Sequence, residues 1–244
     1  MRYFWAPLFF TIFVLSCKEN SFIDDSDFAY NYQPKELGHW VEYEVDSISY
    51  SDITSPVTVD SVRYYIRELL DTTFLDATGV ENIRVERYKR YNPSNQWVLD
   101  EVGSFNISLE SHQRYFRDLR FISLLFPVRV DKEWSGNVFL NVANEATLEY
   151  LDGSKYDWRS RYVFVDEPIQ IDNVLLDSCL KVIQIDEENL FEKKYGEEQY
   201  ARGIGLVSKE LIILNTQAPP SGQTFLERAE SGFILRYKLI DYKN

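Results

Sequence analysis

The chemically capable side chains in this 244-residue sequence are two cysteines, two histidines and a large excess of carboxylates, 39 Asp and Glu against 26 Lys and Arg. Cys17 closes an uncharged apolar run in Val14-Leu15-Ser16-Cys17 and is followed at once by Lys18-Glu19-Asn20. Two aliphatic residues, a small residue and a cysteine at a membrane face suit alkylation of a thiolate by a lipid. Cys179 lies in the apolar stretch LLDSCLKVIQ. A nucleophilic cysteine needs a histidine base, and only His39 and His112 are on offer, so Cys179 reads as a small buried core residue. Two His and two Cys are too few for a closed zinc-type site. Asp24, Asp25 and Asp27 lack the spacing and glycine of a calcium loop. Neither a metal nor a cofactor is expected. Carboxylate pairs are everywhere in so acidic a chain and select nothing. No serine sits in a nucleophile elbow. The chain is not expected to be an enzyme.

The elements that must present Cys17 are legible. Residues 1–16, MRYFWAPLFFTIFVLS, place Arg2 before fourteen uncharged residues, the order of a secretory signal. Fourteen helical residues span about 21 Å, short of a hydrocarbon core of roughly 30 Å. Residues 14–17 resemble a bacterial lipobox, and that resemblance implies that Cys17 is the lipid attachment site and, once a peptidase has cut just before it, the first mature residue. Palmitate is the expected acyl label. Several acyl chains on one cysteine give stable anchoring. Residues 17–33 are polar and acidic and read as a solvated tether. Removing residues 1–16 takes away one arginine, so the mature chain is one unit more negative than the whole chain's −13. Such a surface repels phosphate backbones, and nucleic acid is not an expected partner.

Residues 34–244 read as a single antiparallel β domain. Val41, Tyr43 and Val45 alternate with Glu42, Glu44 and Asp46, and Ile83 and Val85 alternate with Arg84 and Glu86. This period of two separates an apolar face from a wet one. Strands are predicted at 39–50, 59–76, 80–91, 96–108, 145–151, 157–166, 174–186, 204–214 and 232–242, divided by Gly, Pro, Asn and Asp turns. So many strands curl rather than lie flat. The expected fold is therefore mainly β, a curved antiparallel sheet of half-barrel or open barrel-like form, with one inserted helix around 110–126. There Tyr115, Leu119, Ile122 and Phe126 fall at helical spacing, Ser111 can cap, and Pro127 follows. A strand over 119–126 is the competing reading. A second short helix is expected near 187–195.

Gly203-Ile204-Gly205 lacks the third glycine and following helix of a dinucleotide loop, so it reads as a bend or bulge where another backbone approaches. Trp40 and Trp134 are placed in the core rather than on a sugar-stacking surface. The basic-aromatic run Arg84–Tyr91 reads as a solvated sheet face with partners such as Glu42, Glu44 or Glu68.

The stretches QPKELGHWVEYEVDSISY (33–50), RVERYKRYNPSNQW (84–97), LLFPVRVDKEWSGN (124–137) and EQYARGIGLVSKE (198–210) resemble segments of Bacteroidetes-type lipoproteins, a family without assigned activity. YARGIGLV also resembles a strand of periplasmic half-barrel, lipoprotein-carrier-like β proteins. That second resemblance implies a concave apolar face suited to lipid or another apolar ligand. The expected location is the bacterial outer membrane, held by the N-terminal lipid, with the periplasmic or surface face left open. The expected function is a structural or interaction accessory subunit for an envelope protein partner. The alternative is a binding module that holds an apolar or amphipathic ligand, lipid or glycan, in a concave sheet face.

Overall fold

The computed structural model describes residues 29–53, 55–117, 119–140, 158–218 and 222–243. The segment expected to be a signal, Cys17, the three clustered aspartates and the strand expected at 145–151 lie outside the described residues.

Among the described residues twelve strands follow one another: β1 (Trp40–Ser51), β2 (Thr58–Leu75), β3 (Glu81–Arg90), β4 (Val98–Ile107), β5 (Ser111–Phe116), β6 (Leu119–Leu125), β7 (Glu133–Ser135), β8 (Arg159–Ile171), β9 (Val174–Glu188), β10 (Glu192–Ala201), β11 (Gly205–Asn215) and β12 (Ser231–Lys243). They form one antiparallel sheet in the order β6-β5-β4-β3-β2-β1-β12-β11-β10-β9-β8-β7. Two six-strand meanders thus meet where the first strand pairs with the last. The sheet curls until its edges β6 and β7 nearly touch. Ile122 N–H donates to Gly136 O at 2.8 Å, and Trp134 Nε1 donates to Ile122 O at 2.9 Å. Tyr162 of β8 completes the seam: its hydroxyl accepts from Leu125 N at 2.8 Å and donates to Leu125 O at 3.0 Å. The expected curved antiparallel sheet is therefore present as a nearly closed barrel.

The inserted helix is not at 110–126. That segment is the β5–β6 hairpin, in which Phe116 pairs with Leu119 and Ser111 with Leu125. Its helical spacing is fortuitous. Tyr115 stands on the outer face, where its hydroxyl accepts from Asn106 at 3.1 Å, while Leu119 lines the interior. Arg117, at φ 50, reverses the chain between them, and a helix interior does not tolerate that conformation. The region 187–195 is likewise not helical: it comprises the end of β9, a turn closed by Asn189 N–H to Glu192 O at 2.9 Å, and the start of β10. The α-helix among the described residues is α1 (Phe225–Arg228), opened by a Thr224–Glu227 capping box. Phe225 and Ala229 cover Ile212, Leu214 and Ile234 on the outside of the barrel.

The chain enters at one end of the barrel. Residues 29–33, expected as part of a solvated tether, pack there instead. Tyr32 is fully buried and donates to Asp166 Oδ1 at 2.8 Å, with Arg202 stacked 4.6 Å from its ring centre. Gly203, at φ +74, donates its N–H to Asn31 O at 2.8 Å. The glycine pair thus marks a tight turn against which a second backbone docks, as its sequence context predicts. His39 closes the same end by a 3.0 Å contact between Nε2 and Ile204 O.

Candidate functional site

Strand alternation decides what faces inward. On β1 it is Val41, Tyr43 and Val45, all buried. On β2 and β3 the same register turns Tyr64, Ile66 and Glu68, and Arg87 and Lys89, toward the interior. The run 84–91 is therefore split, not wholly solvated. Arg84 and Arg90 stay outside, on Asp71 at 2.6 Å and Glu42 at 3.5 Å, whereas Arg87 and Lys89 line the barrel lumen.

That lumen is not fully packed. A cavity of ≈ 540 Å³ runs along it between walls from both meanders. Ile66, Leu206, Leu211 and Leu235 supply aliphatic surface, and Phe121, Phe233 and Tyr237 aromatic surface. The β5–β6 hairpin contributes Arg114, Phe116, Leu119, Phe121 and Ser123, so the strands that replace the expected helix build one wall of the site.

The cavity floor is ionic. Glu68 accepts from Arg87 Nη2 at 2.7 Å and from Arg114 Nη2 at 2.9 Å, and its side chain is only 12% exposed. Burial alone pushes the Glu68 carboxyl up, but Arg114 and Arg87 beside it outweigh this and hold it at about 2. Arg87 also reaches Glu101 at 3.0 Å and stacks 4.3 Å from the Phe116 ring centre. Opposite, Glu198 accepts from Lys209 at 2.9 Å and from the Tyr200 hydroxyl at 2.5 Å. Burial opposes its charge too, and Lys209 outweighs it, so the carboxyl sits below its ordinary value. Beyond this layer, toward the closed end, only ≈ 20 Å³ of void remains, lined by residues including Val41, Tyr43, Leu70, Val85 and Phe105. The ion pairs thus separate a roomy half of the barrel from a packed one.

The residues singled out for chemistry are elsewhere. Cys179 is buried and free, and burial pushes its thiol up to about 11, so it is inert at neutral pH. His112 is fully buried, and burial drives its pKa well below the ordinary value, with Arg114 adding to the effect. Trp134 packs at the barrel seam, its ring 4.7 Å from that of Tyr162. Trp40 lies on the outer face under the Arg67 guanidinium, at 4.7 Å. No motif marks Glu68, Arg114, Glu198 or Lys209. The signal available for Glu68 is a charge inside an apolar alternation: Tyr64, Ile66, Glu68 and Leu70 share one face of β2, and Glu68 alone among the four is charged.

No family model matches the sequence, and none of the curated proteins does. Among solved structures, a predicted exported protein with a YmcC-like fold from Bacteroides fragilis is similar at 11% identity, covering 86% of this chain and 98% of that one, with a TM-score of 0.36. A predicted lipoprotein from Parabacteroides distasonis is similar at 12% identity, covering 87% and 98%, with a TM-score of 0.30.

Proposed function

We propose that the chain is a lipid-anchored protein of the bacterial outer membrane whose barrel holds one amphipathic small molecule. The observation that carries this reading is the ≈ 540 Å³ cavity, which falls within the roughly 300–1,000 Å³ of small-molecule sites. A solid interior would have favoured the accessory-subunit role; the open lumen favours the binding alternative. The lumen binds without catalysis. Glu68, Glu101 and Glu198 each pair with a cation. Glu68, held at about 2, has no proton to donate near neutrality.

Binding is tested with the neutral fluorophore N-phenyl-1-naphthylamine, using the full chain in lipid nanodiscs and protein-free nanodiscs as the blank. Saturable emission at one probe per chain is expected. Leu235→Trp, which fills the lumen, should weaken it by about tenfold or more. Absence of saturable binding, or a folded Leu235→Trp chain that binds as before, refutes the reading.

The anchor rests on the Val14–Cys17 order alone. Cells fed radiolabelled palmitate should label the wild-type chain and not Cys17→Ser. Equal labelling of the two would rule out Cys17 as the attachment site.

A further inference from the structure

We infer that the molecule held in the lumen is an anionic amphiphile, a single apolar body with a carboxylate or phosphate head; this rests on the binding reading above. The charge of the cavity runs against that of the chain. The whole sequence carries −13. The lining holds five cations, Arg87, Lys89, Arg114, Arg117 and Lys209, against four anions, Glu68, Asp100, Glu101 and Glu198.

Pairing sharpens the surplus. Glu68 takes Arg87 and Arg114, Glu101 takes Arg87 and Arg117, and Glu198 takes Lys209. Asp100 is exposed at the rim. Two cations keep capacity in reserve. Arg114 spends one nitrogen, Nη2, on both oxygens of Glu68. Its Nε and Nη1 have no hydrogen-bond partner among the described residues. Lys89 has no carboxylate within ion-pairing distance among the described residues; its ammonium lies 4.0 Å from the Tyr64 ring centre and 5.0 Å from that of Tyr91. A wholly apolar guest would bury these donors without acceptors, which is unfavourable. A cationic guest would be repelled. An acidic head meets charged donors, and an apolar body meets Ile66, Leu211, Phe121 and Leu235. In a confined, low-dielectric lumen such contacts are strengthened.

Displacement of N-phenyl-1-naphthylamine from the nanodisc-held full chain tests this, with laurate, dodecyl phosphate, dodecanol and dodecyltrimethylammonium as competitors. Laurate or dodecyl phosphate should displace the probe at a concentration about tenfold or more below that of dodecanol, the gain of one charge-assisted hydrogen bond. Whichever of the two is stronger identifies the head. Lys89→Gln, which breaks no ion pair, and the charge-neutral pair Glu68→Gln/Arg114→Gln should each shrink that preference. The outer-face variant Arg63→Gln should keep it. If the probe binds but dodecanol or the cationic chain competes as well as laurate and dodecyl phosphate, the inference is overturned while the binding reading stands. If the probe never binds, it is the binding reading that fails.

Discussion

Glu68→Leu is expected to destabilise the barrel by about 3–5 kcal/mol, because it leaves two guanidinium groups confined without their shared counter-ion. Arg87 and Arg114 approach Glu68 at 2.7 and 2.9 Å, and their side chains are 16% and 15% exposed. With the carboxylate gone, the cost is that of two like charges held side by side at partly buried positions. Arg87 keeps Glu101 at 3.0 Å, but Arg114 has no second carboxylate within ion-pairing distance among the described residues. Removing Arg114 as well, in Glu68→Leu/Arg114→Leu, should therefore recover part of the loss, a non-additivity that a double-mutant cycle in urea measures directly. A single variant as stable as wild type would show that the ionic floor contributes nothing to folding.

The same carboxyl sets an acid limb. Its folded value of about 2 lies below the ordinary 4.5. A depressed carboxyl stabilises the fold fully above pH 4.5, and that contribution drains away as pH falls from there toward 2. Glu198, held down by Lys209, acts in the same direction. Wild-type stability should fall through this window, and Glu68→Gln should fall less steeply from a lower plateau. Parallel curves for the two chains would contradict the assignment.

Gly232→Ala should be the most damaging single-methyl change in the barrel. Gly232 sits at φ +108, and an added Cβ would lie 2.1 Å from Ile213 O and 3.0 Å from Leu214 Cα. Both obstacles are backbone of the neighbouring strand, so no side chain can swing aside. Overpacking and the unfavourable dihedral each cost about 1–3 kcal/mol. The position matters because β12 joins the two meanders, pairing with β1 on one side and β11 on the other. The control is Gly203→Ala, also at positive φ, 74°, but with nothing within 4 Å of the new methyl. It isolates the dihedral cost. The urea midpoint should drop far more for Gly232→Ala. Equal drops would mean that the close approach to Ile213 is not what makes glycine necessary there.

How far the fold is readable depends on what each strand carries inward. Val41, Tyr43 and Val45 make β1 plain, and the expected span 39–50 differs from Trp40–Ser51 by one residue at each end. β10 is hidden in the sequence because its buried positions include Lys194, Gly196 and Glu198, a set with no apolar stripe. The β5–β6 hairpin imitates a helix because apolar residues from opposite faces fall three or four apart. The cavity itself leaves no contiguous trace. Its floor joins Glu68 of β2, Arg87 of β3, Arg114 of β5, Glu198 of β10 and Lys209 of β11, residues spread over more than half the chain.

Local order along the chain is enough for the alternating strands, for the turn at Gly203 and for an expected export and lipidation signal at Val14–Cys17. Those features depend on neighbours in sequence: side-chain period, backbone freedom and the order of charge and apolar residues. Closure of the sheet is decided in three dimensions, by Ile122 meeting Gly136 and Tyr162 meeting Leu125. So is the meaning of the inward charges. An isolated strand with Glu68 or Arg87 on its apolar face looks like one exposed to water. Only when the barrel brings the two within 2.7 Å does the low-dielectric interior turn them into a paired floor beneath an open lumen.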